Sequence, residues 1–269
     1  MSAPPPRILI IAGSDSSGGA GIQADIKTVT MLGGYAMTAI TAVTAQNTLG
    51  VQVVEILSSE LVVAQIDSCL SDIGANAVKI GMLGSPEVAD AVADRLAGLK
   101  VPIVFDPVMV ATSGAVLAGT ATIAAFERLM RLAAVITPNL PELAALTGAG
   151  PESEEAVVAA AHSLADRFGC AVLAKGGHGT AEEIADLLLA PDGTVTRFIN
   201  PRIETRHTHG TGCTLASALA TGLADRQPLQ EATGRAIRFV REAIRQAPGF
   251  GSSAGPLGHQ AVHRRGTGE

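Results

Sequence analysis

The sequence predicts an α/β protein built on a mostly parallel sheet with helices on both faces. Short β-branched runs alternate with longer, Ala-rich stretches of helical period over most of the 269 residues. The residues richest in chemistry also fall directly after the strand-like runs, where open parallel sheets bind their ligands. Connections between parallel strands need crossover helices, which cover both faces and run right-handed.

Taken in order, Arg7–Ala12 is an apolar β-branched run and reads as a strand. A Ser/Gly loop leads into a helix over Gly21–Leu32, and Tyr35–Thr44 and Val51–Leu57 read as strands. Glu60–Ser71 has helical period, Ala77–Ile80 is a strand, and Pro86–Leu99 is a helix with Pro at its start. Val101–Phe105 and Ala134–Thr137 read as strands flanking a helix over Ala121–Leu132. Ser153–Phe168 is a helix with Ser153 as N-cap and Glu154 and Glu155 in its first turn. Cys170–Ala174 is a buried strand; Ile184–Leu189 and Thr194–Ile199 flank Pro191-Asp192-Gly193, a hairpin signal. Thr211–Leu223 and Leu229–Gln246 are the last helices. No repeat or linker divides the chain, so one domain over 1–269 is expected, with residues 1–6 and parts of the glycine-rich tail from Gly249 mobile.

Apolar residues make up 47% of the chain and aromatics 3%, with no Trp and only Tyr35 as tyrosine. The core must therefore be built from Ala, Val, Leu and Ile. A net charge of −6 argues against a nucleic-acid or anionic-membrane surface, but leaves room for anions held by backbone amides. Cys69, Cys170 and Cys213 are scattered with no CxxC pair. Met1–Arg7 has no apolar signal core, and no apolar run approaches ~18 residues. A soluble, cytoplasmic protein is expected.

The richest segment is His207-Thr208-His209-Gly210-Thr211-Gly212-Cys213-Thr214, which runs straight into a helix. Two glycines allow successive N–H groups to converge, and the helix N-terminus adds about half a positive charge. This makes an anion hole for a phosphoryl group, and the same field is expected to lower the pKa of Cys213. A lone Gly-x-Gly is more often a plain helix entry over a small buried Cys. Asn139 and Glu142, three apart at the start of a short helix, suit a hydrated Mg²⁺ or an ordinary capping box. Asp106 ends a strand and suits the metal's water shell or an Asp-Pro turn. Lys175-Gly176-Gly177-His178-Gly179 follows another strand and suits nucleotide phosphates or a solvated loop.

Gly19-Ala-Gly-Ile-Gln-Ala24 mimics a dinucleotide fingerprint, but the required acid ~20 residues later is replaced by the uncharged Ile40–Thr44. Gly251-Ser-Ser253-Ala-Gly255 spells a hydrolase elbow with no strand before it. There is no Walker A or zinc spacing.

These motifs in their order resemble the ribokinase superfamily, and within it the hydroxymethylpyrimidine/phosphomethylpyrimidine kinases. The resemblance covers nearly the whole chain. It rests on Ala12–Asp25, Ala45-Gln46-Asn-Thr-Leu-Gly-Val51, Lys79-Ile-Gly-Met-Leu83, Asp106-Pro-Val-Met109, Ile136-Thr-Pro-Asn-Leu-Pro-Glu142, Lys175-Gly-Gly-His178 and Thr208-His-Gly-Thr-Gly-Cys-Thr214. It implies a ribokinase-like three-layer α/β/α sandwich that is commonly dimeric. The activity implied is ATP- and Mg²⁺-dependent phosphorylation of 4-amino-5-hydroxymethyl-2-methylpyrimidine and then of its monophosphate. It assigns Gly13, Ala20, Asp25, Gln46, Met82 and Val108 to the pyrimidine. Lys175, Thr208, His209 and Asn139 go to the nucleotide, and Asp106, Asn139 and Glu142 to the metal. Gly210, Thr211 and Gly212 form the anion hole, and Cys213 stands where sugar kinases carry their Asp base. Gln46 replaces a Glu found in some members, and His207 stands where Asn is usual. A pyridoxal kinase of the same superfamily is the nearest rival; a silent pyrimidine sensor is the rival from another class.

Overall fold

The computed structural model describes residues 4–111, 114–148, 150, 153–177 and 181–262. Its strands are β1 (Arg7–Asp15), β2 (Tyr35–Asn47), β3 (Gly50–Ile56), β4 (Ala77–Ile80), β5 (Ile103–Phe105), β6 (Val135–Ile136), β7 (Ala171–Ala174), β8 (Glu183–Leu189) and β9 (Val195–Pro201). The helices are α1 (Gly21–Met31), α2 (Ser59–Asp72), α3 (Pro86–Leu96), α4 (Thr120–Leu132), α5 (Leu140–Thr147), α6 (Glu154–Phe168), α7 (Thr211–Ala224) and α8 (Leu229–Arg245). A 3-10 turn follows at His259–Ala261.

The strands form one sheet in the order β3-β2-β1-β4-β5-β6-β7-β8-β9. Strands β2, β1, β4, β5, β6 and β7 are parallel, whereas β3, β8 and β9 join antiparallel at the two edges. The chain builds outward from β1 to β3, then returns to the other side of β1 with β4. The order of strands therefore reverses between β1 and β4, the switch point at which open parallel sheets leave a crevice for ligands.

Alternation along each strand sorts the core into two layers. Leu9, Ile11, Val78, Ile80, Phe105 and Ile136 face α2–α6. Ile8, Ile10, Val104, Val135 and Leu173 face α1, α7 and α8. Helix α7 is buried from Thr214 to Gly222, and only Ala, Leu, Ser, Thr and Gly occupy that stretch, so it lies close against the sheet.

The helix boundaries follow from local chemistry. Ser58, Ser85 and Ser153 each accept a hydrogen bond from the third residue beyond, capping α2, α3 and α6. Helix α3 stops at Leu96, short of the expected Leu99, because Ala97 is extended and Gly98 takes a left-handed φ of 84°. Strand β2 runs on to Asn47, past the expected Thr44, because the antiparallel partner β3 holds it through Asn47 and Gly50. Residues 249–253 are exposed, whereas the chain beyond them packs: Leu257, His259 and Val262 are buried, the first and last against Phe239 and Ala243 of α8. No helix among the described residues is long and apolar enough to cross a membrane.

Candidate active site

A cleft of about 930 Å³ opens at the carboxyl ends of the parallel strands. Gly13, Ala20, Gln46, Met82, Asp106, Val108, Asn139, Glu142, Lys175 and Thr208–Cys213 all line it. The motifs scattered over two hundred residues of sequence thus converge because each follows a strand of one sheet.

The loop between β1 and α1 is gathered by Asp15, a fully buried carboxylate. Its Oδ1 accepts from the amide and hydroxyl of Ser17 (both 2.8 Å), and its Oδ2 from the amides of Gly19 (3.0 Å) and Ala20 (2.8 Å). His209 Nε2 lies 2.9 Å from the same Oδ2. Burial works to raise the Asp15 pKa, but these contacts outweigh it and hold it below the usual carboxylate value. The His209 ring borders the cleft but is committed to Asp15. A Cβ on Gly210 would sit 1.9 Å from the Gly19 carbonyl, and Gly210 takes a φ of 87°. The two loops therefore meet at a contact that admits only glycine at 210.

Gly210 ends that loop and starts α7, which has no side-chain cap. The Thr211 amide turns back toward the Thr208 carbonyl at 3.3 Å. The amides of Gly212 and Cys213 have no partner among the described residues and sit at the positive end of α7. Across the cleft, Lys175 Nζ donates to Asp106 Oδ1 at 2.7 Å and lies 3.7 Å from Glu142 Oε2. Thr137 donates to the same Asp106 oxygen at 3.0 Å. A Cβ on Gly212 would stand 3.3 Å from Lys175 Nζ and 3.5 Å from Asp106 Oδ2, so glycine brings the helix end directly onto this charged group.

Asn139 and Glu142 do form the capping box of α5: Asn139 Oδ1 accepts from the Glu142 amide (2.8 Å) and Glu142 Oε2 from the Asn139 amide (2.7 Å). The box also points the Glu142 carboxylate at Lys175. Burial pushes the Glu142 pKa up, with the Asp106 charge adding to it and Lys175 opposing it. Two buried carboxylates thus share one ammonium. Such a hard-oxygen, net-negative group fits a Mg²⁺ that keeps most of its water; no cluster of three or more acidic, His or Cys ligands exists among the described residues.

On the other side, Gly13 is narrow because the Met82 sulfur occupies the space a Cβ would need, 2.9 Å away. Gln46 is fixed by its backbone, whose amide accepts no freedom: it donates to Ser16 Oγ at 2.9 Å while that hydroxyl donates back to the Gln46 carbonyl at 2.8 Å. The Gln46 side-chain amide has no partner among the described residues. Asp25 does not line the cleft. It lies fully buried beneath it, bound to Lys79 Nζ (2.8 Å) and Ser217 Oγ (2.7 Å). His178 lies outside the described residues. The segment 110–119, of which 112 and 113 are likewise outside, folds back through a Val110–Val116 bridge and borders the cleft.

The expected lowering of the Cys213 pKa is not what the environment produces. Burial pushes the thiol up to about 11; Lys79 pulls it down, and Asp25 and Asp106 push it further up. The helix end is only one charge among several, and sequence does not reveal the acids packed beneath. The sequence reading also passes over Lys79 and Asp15. A lone Lys in the four-residue buried strand β4, and an Asp ahead of Ser-Ser-Gly-Gly, are the signals that mark them.

The sheet order, the cleft at the strand ends and the uncapped helix facing a lysine and two acids define a ribokinase-like small-molecule kinase fold. Solved structures bear this out. The pyridoxal kinase from Staphylococcus aureus in complex with AMP-PCP and pyridoxal matches at TM-score 0.88 and 33% identity, over 98% of this chain and 96% of that one. The phosphomethylpyrimidine kinase from Clostridium difficile 630 matches at TM-score 0.79 and 37% identity, over 89% and 99%. The sequence profile of the phosphomethylpyrimidine kinase family matches residues 15–258, and the chain belongs to that family. The hydroxymethylpyrimidine/phosphomethylpyrimidine kinase of Rhizobium meliloti is 49% identical, over 93% of this chain and 96% of its own length. The thiamine biosynthesis bifunctional protein ThiED of Geobacter sulfurreducens is 48% identical over 96% of this chain, which spans 53% of that longer protein.

Proposed function

We propose that the protein transfers the γ-phosphoryl of ATP to 4-amino-5-hydroxymethyl-2-methylpyrimidine and then phosphorylates the monophosphate, on the route to thiamine. The observation that carries this is the opposition of the free amides of Gly212 and Cys213 to Lys175 and Asp106 across the width of one missing side chain. Phosphoryl transfer asks chiefly for such positioned charge.

Gly13, Ala20, Met82 and Val108 enclose the pyrimidine, and the Gln46 amide meets its aminopyrimidine edge with one donor and one acceptor. The α7 amides hold the transferring phosphoryl oxygens, and Lys175 and Thr208, which both line the cleft, steady the nucleotide phosphates. Asp106, Asn139 and Glu142 organise the water shell of a Mg²⁺, which supplies charge neutralisation on the phosphates when bound. In the first step the hydroxymethyl oxygen bonds to the γ-phosphorus as the bond to the β-phosphate oxygen breaks, and Cys213 Sγ in its thiolate form, the minor species at a pKa of about 11, takes the hydroxyl proton. In the second step the acceptor is a phosphate with second pKa ~6, already ionised at neutral pH, and needs no base. A homodimer working in the cytoplasm completes the reading, supported by three free cysteines and an apolar sheet edge.

The likeness to pyridoxal kinases favours one alternative substrate, pyridoxal, for the same fold and chemistry. The test is a mass-spectrometric assay with Mg-ATP offering the hydroxymethylpyrimidine, its monophosphate and pyridoxal in parallel. Conversion of both pyrimidines with pyridoxal slow is the expected result. Turnover of pyridoxal alone overturns the pathway, and turnover of none overturns the kinase.

A further inference from the structure

Asp15 is joined to His209 across 194 positions of chain, and the loop around Asp15 has no need of the join. An ionised carboxylate offers about four acceptor sites. The β1–α1 loop fills them by itself, with the amides of Ser17, Gly19 and Ala20 and the Ser17 hydroxyl. His209 Nε2, 2.9 Å from Oδ2, is a fifth contact, and since the carboxylate only accepts, Nε2 carries the proton and donates. The backbone behind the ring is pinned as well. The His209 amide donates to the Gly255 carbonyl at 3.1 Å, and His209 and Pro256 form a parallel bridge. The ring itself lies against bare Gly19, where a Cβ would stand 2.4 Å from His209 Cδ2 and 3.2 Å from Pro256 Cβ. Gly19 has no left-handed φ, so the closeness of the ring, not backbone conformation, keeps a side chain out.

The residues that follow the join on its two sides lead into different parts of the cleft. Ala20 and Gly21 line it where the pyrimidine is read to sit, and Gly210 opens the anion hole at the start of α7. We propose that His209 is a positioning residue, a tie rather than a nucleotide ligand: by donating to Asp15 it holds the pyrimidine loop and the anion hole at a fixed separation. The proposal rests on the reading of the cleft as a pyrimidine kinase site. Phosphoryl transfer needs the acceptor oxygen and the γ-phosphorus held in register, and a misplacement of about 1 Å slows such a step on the order of 100-fold. The contact of Gly210 with the Gly19 carbonyl sets how near the two loops come, and the His209–Asp15 bond keeps them from parting. Both phosphorylations use the same two loops, so loss of the tie slows both, whereas loss of Cys213 divides them.

The test uses the full chain with His209→Ala, His209→Gln, Gly19→Ala and the double variant Gly19→Ala/His209→Ala. Gln keeps an N–H donor for Asp15 without the ring. In His209→Ala, kcat is expected to fall about tenfold or more in both phosphorylations, with KM for ATP and for the pyrimidines little changed. His209→Gln should recover most of that loss. Gly19→Ala wedges the ring off Asp15 and should slow both steps as much, yet add little once His209→Ala has removed the ring. Such non-additivity is the mark of two residues acting on one contact, and additive losses overturn the tie. Full activity in His209→Ala also overturns it, and a raised KM for ATP with kcat intact makes His209 a nucleotide contact instead. A second readout needs no turnover: amide hydrogen exchange without ligands, well below the unfolding midpoint. Peptides covering 15–24 and 209–216 should exchange faster in His209→Ala, while the rest of the sheet stays protected. If His209→Ala does not fold, Gly19→Ala, which leaves both partners in place, carries the same two readouts. Unchanged exchange overturns the tie whatever the substrate, whereas a wild type that turns over neither pyrimidine nor pyridoxal overturns the kinase reading.

Discussion

At Gly210, a φ of 87° and a Gly19 carbonyl 1.9 Å from where a Cβ would lie leave no room for substitution. Gly210→Ala must push the β1–α1 loop away from α7 and turn the Gly212 and Cys213 amides off their target. Loss of one such donor elsewhere costs roughly 100-fold or more in kcat, and the same loss is expected here in both phosphorylations by steady-state kinetics. Cys213→Ala should divide the two: the alcohol step falls at least 100-fold, within the range of general-base effects, and the monophosphate step falls less than tenfold. Equal losses would remove Cys213 from its role. The glycines and Cys213 are legible in sequence because backbone geometry and helix position are local properties. The state of Cys213 is not, because it depends on Lys79, Asp25 and Asp106, which arrive from three other elements. Asn139 and Glu142 show both sides: their spacing gives the capping box directly, but only folding brings Lys175 to the carboxylate the box orients.

Element boundaries follow the same division. Caps by Ser58, Ser85, Ser153 and Asn139 mark helix starts that sequence reads well, since the capping residue and its partner lie three apart. The C-terminal segment is harder to read, because the packing of Leu257 and Val262 depends on distant partners in α8. There His259 is buried, and its Nε2 meets Thr214 Oγ1 on α7 at 2.8 Å. Burial, with the charge of Lys27 adding to it, pushes the His259 pKa down to about 4. A histidine with a folded pKa below its unfolded value of ~6.5 contributes no penalty above that pH. Below it the unfolded chain takes up the proton first, so stability falls as pH drops from 6.5 toward 4. The expected loss from this group between pH 7 and pH 5 is about 2 kcal/mol by urea denaturation. His259→Gln should remove that part of the slope, and an unchanged slope would show the ring to titrate freely.

On the scale of the whole molecule, the parallel sheet, its two helical layers and the placement of the motifs at the strand ends all follow from the alternation of strand and helix. The strand order does not, since no local pattern says that the chain returns past β1 after β3. That return leaves β3 as an edge strand, and its surface is unusually apolar for an edge: Val53 is 59% exposed, Val54 38% and Ile56 42%, with Leu49 at 70% in the turn before it. Soluble proteins usually protect such edges with charge, Pro or a bulge, or cover them. Strand β3 has one charged residue, Glu55, and a bulge at Gln52, where its register with β2 shifts between Val51 and Val53, so Val53, Val54 and Ile56 are left with little protection. A second copy of the chain is the cover that the proposed homodimer supplies, and an interface of this kind rests on apolar contact rather than ion pairs. Light scattering should therefore give twice 27.2 kDa, and the value should hold in molar salt, where screening removes surface electrostatics. Val53→Lys places a charge in the middle of the edge and should release a folded 27.2 kDa monomer, since the residue is more than half exposed within the single chain. A wild-type protein that scatters as a monomer at all concentrations would leave the edge bare and the homodimer reading without support. If Val53→Lys stays dimeric, the two copies meet on another face.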